Sequence, residues 1–111
     1  MQLIYDQIRL YKFNQKEKQE LIRRIKEFLA GNKRINLAIV FGSITTRDYV
    51  RDIDICITSN PKLNFKELLY LNAEIELELG VPVDMVELET LPKNLQANIL
   101  KNGIVVKGKV L

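Results

Sequence analysis

Three aspartates are the residues of this chain whose type and spacing best support chemistry. Asp52 and Asp54 lie in the segment 52–58 (DIDICIT), where isoleucines alternate strictly with the other residues. This alternation predicts a strand with its isoleucines in the core and both aspartates on the other face, about 6.5 Å apart along the chain. Asp84 lies between two apolar residues of a later predicted strand, 82–88, and has the same setting.

Carboxylates as close as Asp52 and Asp54 repel each other unless a cation lies between them, and no basic residue separates these two. Mg²⁺ fits this position because proteins hold it with one or two carboxylates together with substrate phosphates and water. Asp84 would complete a site of three carboxylates. Two Mg²⁺ ions held in this way can bind the attacking and the leaving oxygens of a phosphoryl displacement.

A glycine and a serine follow the buried strand predicted at 35–41. Gly42 allows the backbone to approach a phosphate closely, and amide groups with the Ser43 hydroxyl can donate hydrogen bonds to its oxygens. Arg47, four residues after Ser43, can add positive charge. Taken alone, a Gly-Ser pair is usually a turn and an Asp-x-Asp pair is more often an exposed strand face. Their joint occurrence in this order favours a functional site.

Composition excludes several other kinds of catalysis. The 111 residues include no histidine and one cysteine, Cys56, which rules out Ser-His-Asp and Cys-His sites and a protein zinc site. Cys56 is interpreted as a small core side chain because no base is available to activate it. One cysteine allows no disulfide within the chain, so we expect a cytoplasmic protein. No apolar run approaches the ~20 residues that span a bilayer, and no membrane association is expected.

Apolar periodicity predicts three helices in one α+β domain over residues 1–111. They run from Asn14 to about Ala30, from about Asn64 to Leu79, and from Pro92 to Gly103. The stretch AEIELEL within the second also alternates like a strand, but the wider apolar face favours a helix. Strands are predicted at 35–41, 52–58, 82–88 and 104–110, with a short strand possible at 7–13 within an N-terminal extension, 1–13. This order predicts a mixed β-sheet with helices packed on one face.

Charge is distributed unevenly along the chain. Residues 1–36 hold nine basic and four acidic residues, whereas residues 67–89 hold seven acidic and no basic residues. Such runs are typical of solvated helix faces. The alternative is a dipolar molecule whose basic end meets an anionic partner and whose acidic stretch meets a basic one. RNA is the weaker expectation for such a partner, because no aromatic residues are interleaved with the basic ones.

Three segments resemble the minimal nucleotidyltransferases of the DNA polymerase beta superfamily. They are VFGSITTRDYVRDIDICI (40–57), VDMVEL (83–88) and LPKNLQANILKNGIVV (91–106), and the likeness extends over about residues 15–108. The resemblance implies the nucleotidyltransferase fold, with a mixed sheet, helices on one face and the active site on the other. It also implies Mg²⁺-dependent transfer of a nucleotidyl group, usually AMP from ATP.

The resemblance assigns a role to each candidate residue. Asp52 and Asp54 would bind the metal ions, with two ions expected. Asp84 would bind the catalytic metal and help to deprotonate the acceptor. Gly42 and Ser43 would hold the triphosphate.

The loop after the first strand departs from the family pattern, Gly-Ser-x-Ala-Arg-Gly. Eight residues, 44–51, separate Ser43 from Asp52, which makes this loop shorter than those of the family. The second glycine is missing, Thr46 stands where the arginine is expected, and Arg47 comes one place late. The three retained aspartates favour an active enzyme over an inactive copy.

The resemblance also implies a partner, because members of this family are commonly encoded beside a helical HEPN-domain toxin whose antitoxin they are. Some of them adenylylate a tyrosine of that toxin. We therefore expect a Mg²⁺-dependent adenylyltransferase acting on a protein partner, with RNA as the weaker acceptor.

Two alternative functions use the same residues. The altered loop would suit an inactive nucleotidyltransferase-fold module that neutralises a partner by covering it. A Mg²⁺-dependent nuclease would share the carboxylates but does not account for Gly42 and Ser43 after the first strand.

A homo-oligomer is a further expectation from strand alternation. By that alternation the carboxylate face would also carry apolar area that a lone domain leaves partly wet. The residues concerned are Ala38, Val40, Val86 and Leu88.

Overall fold

The computed structural model describes residues 9–110, which form a four-stranded mixed sheet, a two-stranded sheet and three helices. This arrangement confirms the predicted α+β class. No helix within this range is long and apolar enough to cross a membrane. The helices are α1 (Gln15–Ala30), α2 (Phe65–Leu79) and α3 (Lys93–Asn102). The strands are β1 (Tyr11–Lys12), β2 (Ile35–Phe41), β3 (Tyr49–Val50), β4 (Ile53–Ser59), β5 (Val83–Glu87) and β6 (Ile104–Lys107).

The larger sheet has the order β5-β4-β2-β6. Strand β4 pairs with β5 in parallel and with β2 antiparallel, and β2 pairs with β6 antiparallel. As a consequence, the C-terminal end of β2 lies beside the N-terminal ends of β4, β5 and β6. We call this end of the sheet the site end and the opposite end the far end.

Asparagine caps start the two longer helices, as predicted. The side chains of Asn14 and Asn64 accept hydrogen bonds from the amides of Glu17 and Glu67, and each glutamate side chain accepts one from the backbone amide of its capping asparagine. Helix α2 ends at Gly80, whose φ of 73° is the left-handed conformation that glycine adopts without strain. The ambiguous AEIELEL stretch is therefore helical.

The two faces of the sheet carry different helices. The isoleucines of β4 pack with the buried faces of α1 and α2, in a cluster that includes Ile25 and Ile75. On the other face Ile39 and Cys56 pack against Ile99 of α3. The prediction of helices on one face holds for α1 and α2, whereas α3 covers part of the face that carries the aspartates.

The apolar-face argument for a homo-oligomer was wrong for β2. Ala38 and Val40 lie on the α1–α2 face and are fully buried, while Leu88 is buried beside α3. β2 is apolar on both faces, so its alternation does not reveal which residues share a face with the aspartates. Val86 is on the expected face and only partly buried.

Two terminal strands are shorter than predicted. Only Tyr11–Lys12 of the segment 7–13 forms a strand, and residues 7 and 8 lie outside the described residues. β6 ends at Lys107 because Gly108 takes a φ of 77° and its backbone lies against the Asn36 carbonyl.

Candidate active site

Asp54 and Asp84 lie side by side at the site end of the sheet. Asp54 is the second residue of β4 and Asp84 the second residue of β5, and the two are paired in the parallel register. Paired residues on adjacent strands project to the same face, with their backbones about 5 Å apart. The structure therefore brings together two carboxylates that are 30 residues apart in sequence, Asp54 half-buried and Asp84 exposed.

The pKa of Asp54 responds to both of the other aspartates. Burial and the negative charges of Asp52 and Asp84 together raise the pKa of the Asp54 carboxyl to about 6. An ionised Asp54 is therefore destabilised in this fold by lost hydration and by two like charges. A cation placed among the three side chains would reverse this effect.

Asp52 reaches the same cluster by a different route from the predicted one. It lies in the bend before β4 rather than within the strand, which begins at Ile53. The expectation that strand alternation alone aligns Asp52 with Asp54 is corrected in this respect. Its charge nevertheless acts on Asp54.

Gly42 packs directly against the Asp54 carboxylate. It begins a 3₁₀ turn, Gly42–Thr45, with a φ of 81°, and a Cβ added there would overlap the carboxylate oxygen. Both the backbone conformation and the space thus require glycine. Phe41, just before it, is the register partner of Asp54 on β2. The turn therefore begins beside the aspartates.

Ser43 lies within this turn, and Arg47 lies two residues after its end. The Ser43 carbonyl accepts hydrogen bonds from the amides of Thr46 and Arg47, at 3.1 and 2.8 Å, and Thr45 Oγ1 donates to the Gly42 carbonyl at 2.7 Å. Arg47 is exposed and, within residues 9–110, is in no ion pair. Its guanidinium is therefore available to an anionic ligand, although the structure does not bring it into contact with the aspartates.

The loop between Ser43 and Asp52 is fixed by contacts that the sequence did not indicate. Ile44 and Val50 are buried in the main core. Strand β3 pairs with β1, and the Phe13 amide donates to the Asp48 carbonyl at 2.8 Å. Lys18 of α1 lies 3.4 Å from the Asp48 carboxylate. A strand of two residues is too short to show alternation. The isolated apolar residues of this loop were therefore the only sequence signal that it packs against the core.

Cys56 is excluded as a nucleophile. It is buried between β2 and α3, and burial raises the pKa of its thiol to about 11. A thiol of this kind is protonated at neutral pH and unreactive. Its interpretation as a core residue is confirmed.

The donor set at the site end suits Mg²⁺. No group of three acidic or cysteine side chains within residues 9–110 is arranged as a finished metal site. Mg²⁺, however, commonly uses one or two carboxylates and takes its remaining ligands from phosphates and water. Asp54 and Asp84 on adjacent strands, with Asp52 nearby, supply oxygen donors of this kind, and their mutual repulsion favours a cation. The residues present therefore fit the ion.

Several solved toxin–antitoxin structures share this fold. The chain is similar to one in the crystal structure of the toxin–antitoxin MntA–HepT, at 23% identity and a TM-score of 0.65, with 82% of this chain and 73% of that chain covered. A toxin–antitoxin structure with AMP-PNP matches at 24% identity and a TM-score of 0.67, covering 79% and 73%. A complex of tri-AMPylated Shewanella oneidensis HEPN toxin with MNT antitoxin matches at 24% identity and a TM-score of 0.66, covering 83% and 73%.

Sequence comparison gives the family. No curated protein sequence matches the chain significantly. The sequence model of the family "Polymerase beta, Nucleotidyltransferase" matches residues 23–109, which include the whole four-stranded sheet and all the candidate residues. This protein therefore belongs to the polymerase beta nucleotidyltransferase family.

Proposed function

We propose that this protein is a Mg²⁺-dependent nucleotidyltransferase that transfers AMP from ATP to a protein partner, a HEPN-domain toxin whose antitoxin it is. The observation that carries the proposal is the register of Asp54 and Asp84 on parallel strands, with Asp52 beside them and Gly42 against Asp54. Family membership supports nucleotidyl transfer. Structures of similar fold that contain AMP-PNP or a tri-AMPylated HEPN toxin support the choice of nucleotide and partner.

The three aspartates would hold Mg²⁺, which when bound neutralises triphosphate charge and favours ionisation of the attacking hydroxyl. The Asp54 carboxylate lies against the turn, so its oxygens, with those of Asp52, could hold ions between the sheet and the phosphates. The exposed carboxylate of Asp84 is open to an incoming acceptor and can take the proton of its hydroxyl.

The turn after β2 would hold the triphosphate. Gly42 has no side chain to block close approach, and the Ser43 hydroxyl can donate to a phosphate oxygen. The exposed guanidinium of Arg47 can approach the outer phosphates. Because the turn touches Asp54, the phosphates and the ions would share one small space.

Labelled ATP tests the proposal most simply. The protein, Mg²⁺ and labelled ATP are incubated with the product of the neighbouring gene, which we expect to contain a HEPN domain, and label on this partner is measured. Asp54→Asn should reduce the rate on the order of 100- to 1,000-fold, because one charged group of the reacting site is lost. Glu74→Gln, which removes an exposed acid on α2, should label at the wild-type rate. Equal labelling by Asp54→Asn and wild type would contradict the proposal.

A second candidate function, neutralisation by binding alone, is favoured by the outer surface of α2. Phe65, Leu69 and Leu77 are 76%, 54% and 86% exposed, and with Ala73 they recur every four residues along one stripe. Exposed apolar stripes of this kind are typical of protein interaction sites. α2 packs on the sheet face away from the aspartates, so a partner could bind the stripe without any contribution from them.

Two variants separate the candidates. If transfer is the function, Asp54→Asn should bind the partner normally and fail to neutralise it. If binding is sufficient, Asp54→Asn should neutralise it fully, whereas Leu69→Glu/Leu77→Glu should lose both the complex and the neutralisation. Because both leucines point away from the core, the double variant should fold, which its melting temperature checks.

A further inference from the structure

A small groove adjoins the turn on the same face of the sheet as the aspartates. Helix α3 ends at the site end, since β6 begins at Ile104 opposite Val40 of β2. Between the end of α3 and the turn lies a groove of about 220 Å³, which Phe41 and Gly42 line on the sheet side. Gly42 also contacts Asp54, so the groove opens next to the carboxylates.

The lining combines an apolar floor with a polar rim. Phe41 and Leu95 supply apolar surface, and the Asn98 and Asn102 side chains, one helical turn apart on α3, supply amides. Each side-chain amide can both donate and accept hydrogen bonds, and the edge of a nucleobase presents the matching acceptors and donors. Aromatic side chains commonly stack on nucleobases, and side-chain amides commonly pair with their edges.

The size of the groove suits part of a nucleotide. Pockets that hold a whole small ligand measure roughly 300–1,000 Å³. At about 220 Å³ this groove accepts one ring system while the phosphates remain outside it, at Gly42 and Ser43.

A larger groove of about 420 Å³ lies on the other side of the turn, where Lys18 and Lys26 of α1 line it with Thr45. Helix α1 packs on the sheet face opposite the aspartates. A base bound there would draw the phosphates away from the carboxylates, so this groove does not suit the donor nucleotide.

We infer that the groove between the turn and α3 binds the nucleobase of the donor nucleotide, with Asn98 and Asn102 as specificity-determining residues. The inference rests on the proposed function for the position of the phosphates. It assigns to the third helix a role in selecting the donor. Both asparagines line the groove and would lie away from the phosphates at Gly42 and Ser43, so they would act on binding and not on the chemical step.

The test compares ATP with inorganic tripolyphosphate, which has the phosphates and no base. Dissociation constants in Mg²⁺ are measured by calorimetry for wild type, Asn98→Ala and Asn102→Ala. Each variant should bind ATP about 3- to 10-fold more weakly, the range expected for one lost neutral hydrogen bond, and should bind tripolyphosphate unchanged. The wild-type preference between ATP and GTP should also shrink in both variants.

Asn94→Ala is the matched control, because Asn94 is exposed on α3 one turn before Asn98 and does not line the groove. It should bind ATP as the wild type does. Alanine favours the helix over asparagine, so all three variants should fold.

Unchanged ATP affinity in Asn98→Ala and Asn102→Ala, or an equal loss of tripolyphosphate affinity, would overturn the inference while leaving the aspartate site intact. A wild-type protein that binds tripolyphosphate as tightly as ATP would overturn it as well. Failure of the wild type to bind either ligand would instead contradict the proposed function.

Discussion

The two ends of the four-stranded sheet treat charge in opposite ways. At the site end, Asp54 and Asp84 are paired on adjacent strands, and the pKa of Asp54 is raised to about 6 by burial and by the negative charges of Asp52 and Asp84. At the far end, the Arg34 guanidinium pairs with Glu67 and donates to the Pro61 carbonyl at 3.1 Å. The site end leaves like charges unbalanced, whereas at the far end Arg34 and Glu67 compensate each other.

Other polar groups at the far end follow the same rule. Glu87 is only 6% exposed, and its carboxylate accepts a hydrogen bond from Ser59 Oγ at 3.0 Å. Arg34 also donates to the Lys62 carbonyl at 2.9 Å and, with the capping asparagine, holds the pKa of Glu67 below its usual range. Satisfied buried groups stabilise a fold, whereas an unbalanced cluster costs stability and is retained where a ligand completes it. The difference therefore separates a structural end from the end at which we propose that ligands bind.

The largest expected effect is at the site end. Asp84→Asn should reduce the proposed AMP transfer on the order of 100- to 1,000-fold, because it removes an oxygen donor and the group that we propose accepts the hydroxyl proton. The melting temperature without ligand should stay within about 2 °C of wild type, since Asp84 is exposed. Initial rates of labelling and thermal unfolding measure the two quantities. A wild-type rate of transfer in this variant would contradict the assignment of function to the site end.

The reciprocal change is at the far end. Arg34→Leu should lower the free energy of unfolding by roughly 1 to 3 kcal/mol, since Glu67 and two carbonyls lose a charged donor. Its affinity for Mg²⁺ and ATP should match the wild type. Urea denaturation and calorimetry measure these quantities. A variant with normal stability but weakened ATP binding would contradict the division between the ends.

Gly42→Ala should lower both the stability of the fold and the affinity for ATP. Its φ of 81° is unfavourable for alanine by about 1 to 2 kcal/mol, and the new methyl group would displace the Asp54 carboxylate. Urea denaturation should show a loss of this size in the free energy of unfolding, and calorimetry should show weaker Mg²⁺-dependent ATP binding. Gly31→Ala is the control, because Gly31 has a φ of −80° and open space around it, and it should be neutral or slightly stabilising. Wild-type ATP affinity in Gly42→Ala would show that the turn does not take part in ATP binding.

The smallest effect is a gain in stability for Asp54→Asn. The folded pKa is about 6 against a usual value of 3.8, so in the wild type stability falls as the pH rises from about 4 to 6 and stays low above that. Replacing Asp54 should therefore stabilise the metal-free protein by about 1 kcal/mol at pH 7.5, after allowance for solvent screening of a half-exposed group. At pH 3.5 the gain should vanish. Equal stabilities at pH 7.5 would show that the three charges do not interact.

The sequence predicted the face on which Asp54 lies better than the elements around it. Strict alternation of isoleucines with Asp54 predicted its face, because only one face of that segment is apolar. β2 is apolar at every position from Leu37 to Phe41, so its two faces could not be told apart until the register with β4 was known. The sheet face on which α3 lies depends on long-range packing of Ile99 against Ile39, which no local pattern records.

The loop after β2 also depends on tertiary contacts that local sequence patterns do not record. Its first residue, Gly42, was predicted to lie near phosphate because a glycine after a strand permits close approach. That the same glycine is pressed against the Asp54 carboxylate depends on the antiparallel pairing of β2 with β4, a tertiary contact. The pairing of β1 with β3 involves two residues on each side and left no signal in the sequence.

The most direct test of the central claim is the joint effect of Mg²⁺ and a non-hydrolysable ATP analogue on the melting temperature at pH 7.5. In wild type, the two together should raise it by more than the sum of their separate effects, because ions held by Asp52, Asp54 and Asp84 would also bind the phosphates. In the double variant Asp54→Asn/Asp84→Asn, adding Mg²⁺ should give no further rise. An equal joint rise in the variant, or none in the wild type, would contradict the account.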